Sequence, residues 1–299
     1  MSRVSEAGWQ LTRRLVSVAP VPADLPEPRL IHLPGRGRTA VVDTGSAPGS
    51  DAVRQPTLIL LHALACTGLL TWYPCFEALR QRYRVITFDQ RWHGQGIRSS
   101  HFRLEDCADD VAAVADSLGV DRFVPVGYSM GALVAQLAWR QHPDRVAGAV
   151  LAASATHFRR GDSEPKALHV IANRITMAAE RRLHAPPAGN PPTEHADGNR
   201  WALAQARTTS TSEITGAGAV ISRFDSSGWI NGMDVPTSVV VTSRDKAIPP
   251  AHQRQLAKTL PRSTIYEVDA GHASCVMNAA AFRPGLLAAC ASVSSRVSP

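Results

Sequence analysis

Lysine is scarce in this 299-residue chain: only three of its 32 basic residues are lysine (Lys166, Lys246, Lys258), the rest being arginine. The arginines are scattered, with short pairs at Arg13–Arg14, Arg159–Arg160 and Arg181–Arg182, no run of five basic residues and no basic stripe interleaved with aromatics. A formal net charge of +7 spread in this way serves solubility. It argues against a nucleic-acid partner, which needs a continuous cationic track with stacking platforms. Cysteine is sparse too: the five residues are widely spaced and form no C-x-x-C, which excludes a disulfide framework and a cysteine-based zinc site. A reducing, cytoplasmic setting is the expectation. No apolar run approaches the roughly 18 residues of a membrane span, so no stable membrane insertion is expected. The leading stretch "MSRVSEAGWQLTRRLVSVAPVPADLPEP" places two arginines before a short apolar patch, but Pro20 and Pro22 break that patch, which argues against a secretory signal. No internal repeat is visible.

What the chain holds is apolar content, 44% of residues, enough to build one large α/β domain. Residues 1–28 read as a short amphipathic helix (Trp9, Leu11, Leu15) and a proline-rich lead-in. "RLIHL" and "TAVVDTG", split by the turn signal "PGRG", read as strands. "PTLILLHAL" is continuously apolar, as a strand buried on both faces would be. A helix follows ("LLTWYPCFEALRQRY", apolar at Leu70, Tyr73, Phe76 and Leu79), then a strand ("YRVITFD"). The next helix, "RLEDCADDVAAVADSLGV", has acids in its first turns and Gly119 near its end. Strand "RFVPVGYS", helix "MGALVAQLAWRQHPDRV" and strand "AGAVLAASA" continue a βαβαβ rhythm that predicts a mostly parallel central sheet with helices on both faces.

Residues 157–232 interrupt that rhythm. They are polar and arginine-rich, helix-prone in "EPKALHVIANRITMAAERRLH", and "APPAGNPPTEHADGN" reads as an exposed connector. Alternation resumes with "PTSVVVTSRD", "PPAHQRQLAKTL", "STIYEVDAG" and a closing helix from about Ala279. The expected organisation is a lead-in over 1–28, an α/β core over 29–156 and 233–299, and a helical cap inserted at 157–232.

"FVPVGYSMGALVAQLA" places Ser129 between Gly127 and Gly131. At ordinary glycine and serine frequencies, roughly one chain in ten of this length carries a G-x-S-x-G by accident, so the context must carry the argument. Here the motif falls between a buried strand and a helix, the setting of a nucleophile elbow. A serine so placed stands at the carboxyl edge of the sheet. The turn is sharp enough to require small neighbours, and the following amide, on Met130, points at whatever Ser129 attacks. A serine hydroxyl needs a general base near pH 7. Of the 11 histidines, His272 stands apart, because it follows a strand at the carboxyl edge in "YEVDAGHASC". His32, His101, His142, His157, His169, His184, His195 and His252 fall in polar loops, caps or helix surfaces. The base needs an orienting carboxylate, and Asp245 in "VVVTSRDKAIPP" ends a strand at the same edge. Asp269 adjoins His272 in sequence but faces the other side, Asp121 lies at the far end of the nucleophile strand, and Asp89 reads as structural.

The order Ser129, Asp245, His272, each just after a strand, resembles the α/β-hydrolase-fold family in its capped esterase, lactonase and non-haem haloperoxidase-like branch. The resemblance spans roughly residues 29–156 and 233–295 and rests on "LLHALACTG", "DQRWHGQG", "GYSMG" and the pair "RDKAIPP" and "GHASC". In that family a His-Gly pair after the third strand shapes the oxyanion hole. Here the pair is His62–Ala63, which implies the Leu64 amide as donor beside that of Met130, with alanine restricting the backbone. The family's D-x-R-G-x-G has Trp92 in place of a glycine, and Tyr128 precedes the nucleophile where relatives often carry histidine. A serine nucleophile argues against haloalkane dehalogenase and epoxide hydrolase chemistry, which uses a carboxylate.

The resemblance implies cleavage of a carboxylic ester or lactone through an acyl-enzyme, with no metal and no organic cofactor. A catalytically silent ligand-binding protein, perhydrolysis, C–C bond hydrolysis and acyl transfer use the same scaffold and stay open. The pocket candidates are His62, Trp72, Trp92 and Tyr128, with Leu64 and Met130. Trp201 and Trp229 are candidates from the cap side, and Arg174, Arg181 and Arg182 are candidates to greet an acidic substrate. The expected partner is a small ester-like substrate, with a homodimer left open.

Overall fold

The computed structural model describes residues 21–22, 24–45, 56–158 and 193–297. The expected N-terminal helix, the helix-prone stretch 164–184 and the three arginines Arg174, Arg181 and Arg182 lie outside them.

Among the described residues, eight strands form one sheet in the order β1-β2-β4-β3-β5-β6-β7-β8. β1 (Arg29–Leu33) and β2 (Gly37–Asp43) are an antiparallel hairpin at one edge, joined to β4 (Val85–Phe88). From β4 onward every pairing is parallel, through β3 (Thr57–Leu61), β5 (Phe123–Tyr128), β6 (Ala149–Ala152), β7 (Thr237–Thr242) and β8 (Ser263–Val268). β3, β5, β6 and β7 are buried almost throughout, as their unbroken apolar runs require when both faces are covered. Strand alternation then sorts side chains between two layers. Ile59, Leu61, Val239 and Val241 enter one core; Leu58, Leu60, Val124, Val126 and Val240 enter the other.

The second layer is closed by α1 (Gly68–Arg80) and the last helix, α8 (Ala279–Arg296), through Trp72, Phe76, Phe282 and Leu286. The first layer is closed by α2 (Leu104–Ser117), α3 (Met130–Gln141) and α6 (Pro250–Thr259). One short helix, α7 (Ser274–Met277), precedes α8.

Between β6 and β7 the chain leaves the sheet and returns to the same place. Ser226 donates its N–H to the Thr156 carbonyl at 2.8 Å, and His157 bridges Asp225 in antiparallel fashion, forming a neck. Beyond it, α4 (Thr193–Ala206) and α5 (Thr211–Ile221) pack on the loops that follow β3 and β4. Trp201 meets Tyr73 edge-on at 5.1 Å between ring centroids, Thr67 donates to Gln205 at 2.8 Å and Gly94 donates to Thr209 at 3.1 Å. α5 starts from a capping box in which Ser210 and Glu213 satisfy each other's backbone amides. α4 begins at Thr193, inside the stretch whose Pro, Gly and Asp residues read locally as a connector. Gly198 is buried there, and the contact of α4 with Tyr73 outweighs the weak intrinsic helix propensity of Asp197 and Gly198. Among the described residues no helix is long and apolar enough to cross a membrane.

Candidate active site

β5 ends at Tyr128 and α3 begins at Met130, so the whole turn is made at Ser129, with φ 53° and ψ −113°. A side-chain-bearing residue occupies positive φ only when its surroundings enforce it. Here they do. The Ser129 N–H donates to the Ala152 carbonyl at 2.9 Å, and its own carbonyl accepts from Ala132 at 3.0 Å. The flanking glycines let strand and helix approach to backbone contact. A Cβ on Gly127 would sit 2.3 Å from the Gly131 carbonyl oxygen, and one on Gly131 would sit 2.1 Å from the Leu61 carbonyl oxygen. Ala65 (φ 61°), Trp92 (φ 67°) and Ala153 (φ 49°) share the unusual backbone. Among the described residues, these four positions fall in the loops leaving four adjacent parallel strands, β4, β3, β5 and β6, all at one edge.

At that edge Ser129 Oγ lies 2.9 Å from His272 Nε2, and His272 Nδ1 lies 2.8 Å from Asp245 Oδ2. Burial pushes the Asp245 carboxyl up, but the hydrogen bond and charge of His272, with the Ile248 amide and the Thr242 hydroxyl, hold it below its ordinary value. An ionised carboxylate only accepts, so His272 donates from Nδ1, and in the neutral imidazole of that tautomer Nε2 is the acceptor that faces the serine hydroxyl. The carboxylate is further held by the amides of Ala247 (2.8 Å) and Ile248 (2.9 Å) on Oδ1, and by Thr242 (2.8 Å) and Gln253 (3.1 Å) on Oδ2. The rival carboxylates are engaged elsewhere. Asp269 forms an exposed ion pair with Arg244, Asp121 is at the surface, and Asp89 accepts from the Gly68 and Gln95 amides.

Met130 opens α3, so its amide is one of those an α-helix leaves without an intrahelical acceptor. Leu64 lies in the loop after β3, its side chain against Ile214 and Ala65 and 3.8 Å from where a Cβ on Gly218 would be. Among the described residues, neither amide has a hydrogen-bond acceptor.

The remaining pocket candidates have other partners. His62 is fully buried; its Nε2 accepts from the Gln90 amide at 2.8 Å and its Nδ1 donates to the Ala63 carbonyl at 2.8 Å. Burial and the neighbouring His93 hold it well below the usual histidine range, which leaves it a neutral brace for the β3 and β4 loops. Trp72 is wholly buried in the core against Tyr128, ring centroids 6.3 Å apart. Tyr128 is buried and donates its hydroxyl to the His272 carbonyl at 2.6 Å, with Ser274 Oγ at 3.3 Å. Its side chain therefore fixes the loop that carries His272. Trp92 is half-buried, donates to the Ser99 carbonyl at 2.9 Å and faces Gly216 of α5, where a Cβ would come 2.9 Å from its ring. Trp201 packs on Tyr73, whereas Trp229 packs on Phe224 and under Arg140. The residues that sequence reasoning missed are Thr242, Gln253 and Ser274. Only Gln253 left a signal: it is an uncharged polar residue in register with Leu256 and Ala257 on the buried stripe of α6.

Comparison with known proteins agrees with this architecture. The sequence model of the family described as alpha/beta hydrolase fold matches residues 56–279. A protein of Azorhizobium caulinodans named for carbamate hydrolysis, RutD, is 26% identical over 247 residues, covering 79% of this chain and 92% of its own. The enol-lactonase of Burkholderia xenovorans superposes with a TM-score of 0.65 at 23% identity, over 87% of this chain and 98% of that one. An esterase of Exiguobacterium antarcticum superposes with a TM-score of 0.70 at 17% identity, over 88% and 98%. The eight-stranded sheet and the matched span together establish that the chain belongs to the α/β-hydrolase-fold family.

Proposed function

We propose that this protein is a serine hydrolase that cleaves a carboxylic ester or lactone through an acyl-enzyme. The observation that carries the reading is the unbroken chain of hydrogen bonds from Ser129 Oγ to His272 Nε2 (2.9 Å) and from His272 Nδ1 to Asp245 Oδ2 (2.8 Å). In this reading Ser129 Oγ attacks the carbonyl carbon as His272 takes its proton. Asp245 holds the imidazole in the productive tautomer and stabilises the imidazolium. The Leu64 and Met130 amides receive the oxyanion, each donor being worth about 3 kcal/mol in comparable sites. His272 then protonates the leaving oxygen. A water deprotonated by the same imidazole attacks the acyl carbon and returns Ser129 to its starting state.

Serine rather than cysteine is the nucleophile that fits. The half-buried Cys66, in the loop after β3, has its thiol pushed up to about 11 by burial, too high to furnish a thiolate near neutrality. All five cysteines are free, in keeping with a reducing compartment such as the cytoplasm. The names of the relatives, carbamate hydrolase, enol-lactonase and esterase, share an acyl carbon bearing a heteroatom leaving group, and this supports the substrate class.

The test pairs two measurements. A fluorophosphonate should add to Ser129, located by peptide mass. A panel of p-nitrophenyl esters of graded length, with small lactones beside them, should be hydrolysed by the wild type and not by Ser129→Ala. Labelling without turnover of any ester or lactone would instead point to a ligand-binding protein, and equal rates for Ser129→Ala and wild type would refute the mechanism.

A further inference from the structure

Gln253 is entirely buried on α6, where Leu256 and Ala257 complete the same stripe. A primary amide there costs desolvation that an apolar residue would avoid, unless all its hydrogen-bonding groups are used. They are. Its Oε1 accepts from the Thr242 N–H at 3.0 Å, and its Nε2 donates to the Ile248 carbonyl at 2.8 Å. A backbone N–H only donates and a carbonyl only accepts, so these two bonds fix which way the amide faces. The second Nε2 hydrogen is shared between Asp245 Oδ2 at 3.1 Å and Thr242 Oγ1 at 3.0 Å. The Thr242 hydroxyl, having accepted from Gln253, passes its own hydrogen to the same Oδ2 at 2.8 Å. Oδ2 is also the oxygen that faces His272 Nδ1, at 2.8 Å.

We propose that Thr242 and Gln253 are a positioning pair for Asp245: they aim Oδ2 at His272 and draw charge from it, and so limit how tightly the carboxylate holds the protonated imidazole. The proposal rests on the serine-hydrolase reading and extends it to two residues that touch neither substrate nor nucleophile. Each donor on Oδ2 competes with His272 for the same negative charge. Removing one leaves a more basic carboxylate, an imidazolium that is better stabilised and a base that stays protonated to higher pH. The groups around the pair do not obscure this reading. Tyr128 and Cys275 are pushed far up by burial and stay neutral in the acid range. Arg244 and Asp269 neutralise each other at the surface, and Lys246 is exposed.

The experiment measures the rate of fluorophosphonate addition to Ser129 between pH 4.5 and 9 for wild type, Thr242→Val, Thr242→Ser and Gln253→Met, with thermal unfolding run alongside. Thr242→Val and Gln253→Met should each move the acid limb of the profile upward by about half a pH unit, and Thr242→Ser, which keeps the hydroxyl, should restore the wild-type limb. Thr242→Val leaves the Gln253 bonds to the Thr242 N–H and the Ile248 carbonyl in place, so it tests the idea even if Gln253→Met does not fold. A limb that stays put or moves down in folded Thr242→Val, while wild type is labelled at Ser129, would overturn the proposal and leave the hydrolase reading intact. Absence of labelling of wild-type Ser129 at any pH would remove both.

Discussion

Gly131 has a backbone carbonyl, that of Leu61, 2.1 Å from where its Cβ would be. Asp245, at the other end of the hydrogen-bonded chain, is ringed instead by five donors: Thr242, Ala247, Ile248, Gln253 and His272. The first region is held by contact between main chains that have no room to yield, the second by polar groups aimed at one carboxylate. The elbow should therefore be intolerant of any added atom, whereas the acid loop should tolerate changes of shape that keep its donors. α4 and α5 form a third kind of region, packed on the core through apolar side chains such as Trp201, Ala217 and Ile221 and tied to it by side-chain bonds from Gln205, Thr209 and Glu213.

The largest effect is expected from Gly131→Ala, and nearly as large from Gly127→Ala. Backbone must move at the centre of the sheet, so a loss of about 3 kcal/mol or more is expected in urea unfolding. A variant that unfolds within a few tenths of a kcal/mol of wild type would break the contact side of the comparison. Asp245→Asn keeps the shape of the acid loop but spoils the polarity that fixes the His272 tautomer. Ester hydrolysis should fall about 10⁴-fold in kcat, while circular dichroism stays native.

The same carboxylate should leave a mark on stability. Its folded value lies below its ordinary one, so the folded state binds fewer protons than the unfolded chain. The stabilisation is full above about pH 4, the ordinary aspartate range, and is lost as pH falls through the lower folded value. Unfolding midpoints of wild type and Asp245→Asn should therefore converge as pH falls below about 4; parallel curves would show that the donor ring does not favour the ionised form. The smallest effect is expected at the tie between Arg98 on the core and Glu213 on α5. Glu213→Gln should cost under about 1 kcal/mol, less at high salt. A larger loss would mean that α5 is as firmly built in as the elbow.

Much of this fold is legible in local patterns. Unbroken apolar runs declare strands covered on both faces, amphipathic spacing declares the helices between them, and a serine between two glycines marks the elbow. The interval 157–232 stands out because its composition breaks the alternation, although the start of α4 at Thr193 is hidden under residues that favour turns. At the site, Ser129, Asp245 and His272 could be singled out because each follows a strand, and a parallel sheet gathers all such ends at one edge. Tyr128, Trp72 and His62 lie equally close to that edge in sequence, and nothing local says that their side chains turn inward.

The sequence by itself determined the strand order's parallel character, the sharp turn at Ser129 and the presence of a histidine and a carboxylate at the same edge, because hydrophobic period and turn chemistry act over a few residues. Only the tertiary structure decided that Tyr128 braces the His272 loop, that His62 is a neutral strut and that Gln253 reaches the carboxylate. Each of these depends on a donor meeting an acceptor from a distant part of the chain, and burial makes such a meeting obligatory without saying in advance which partner will be there.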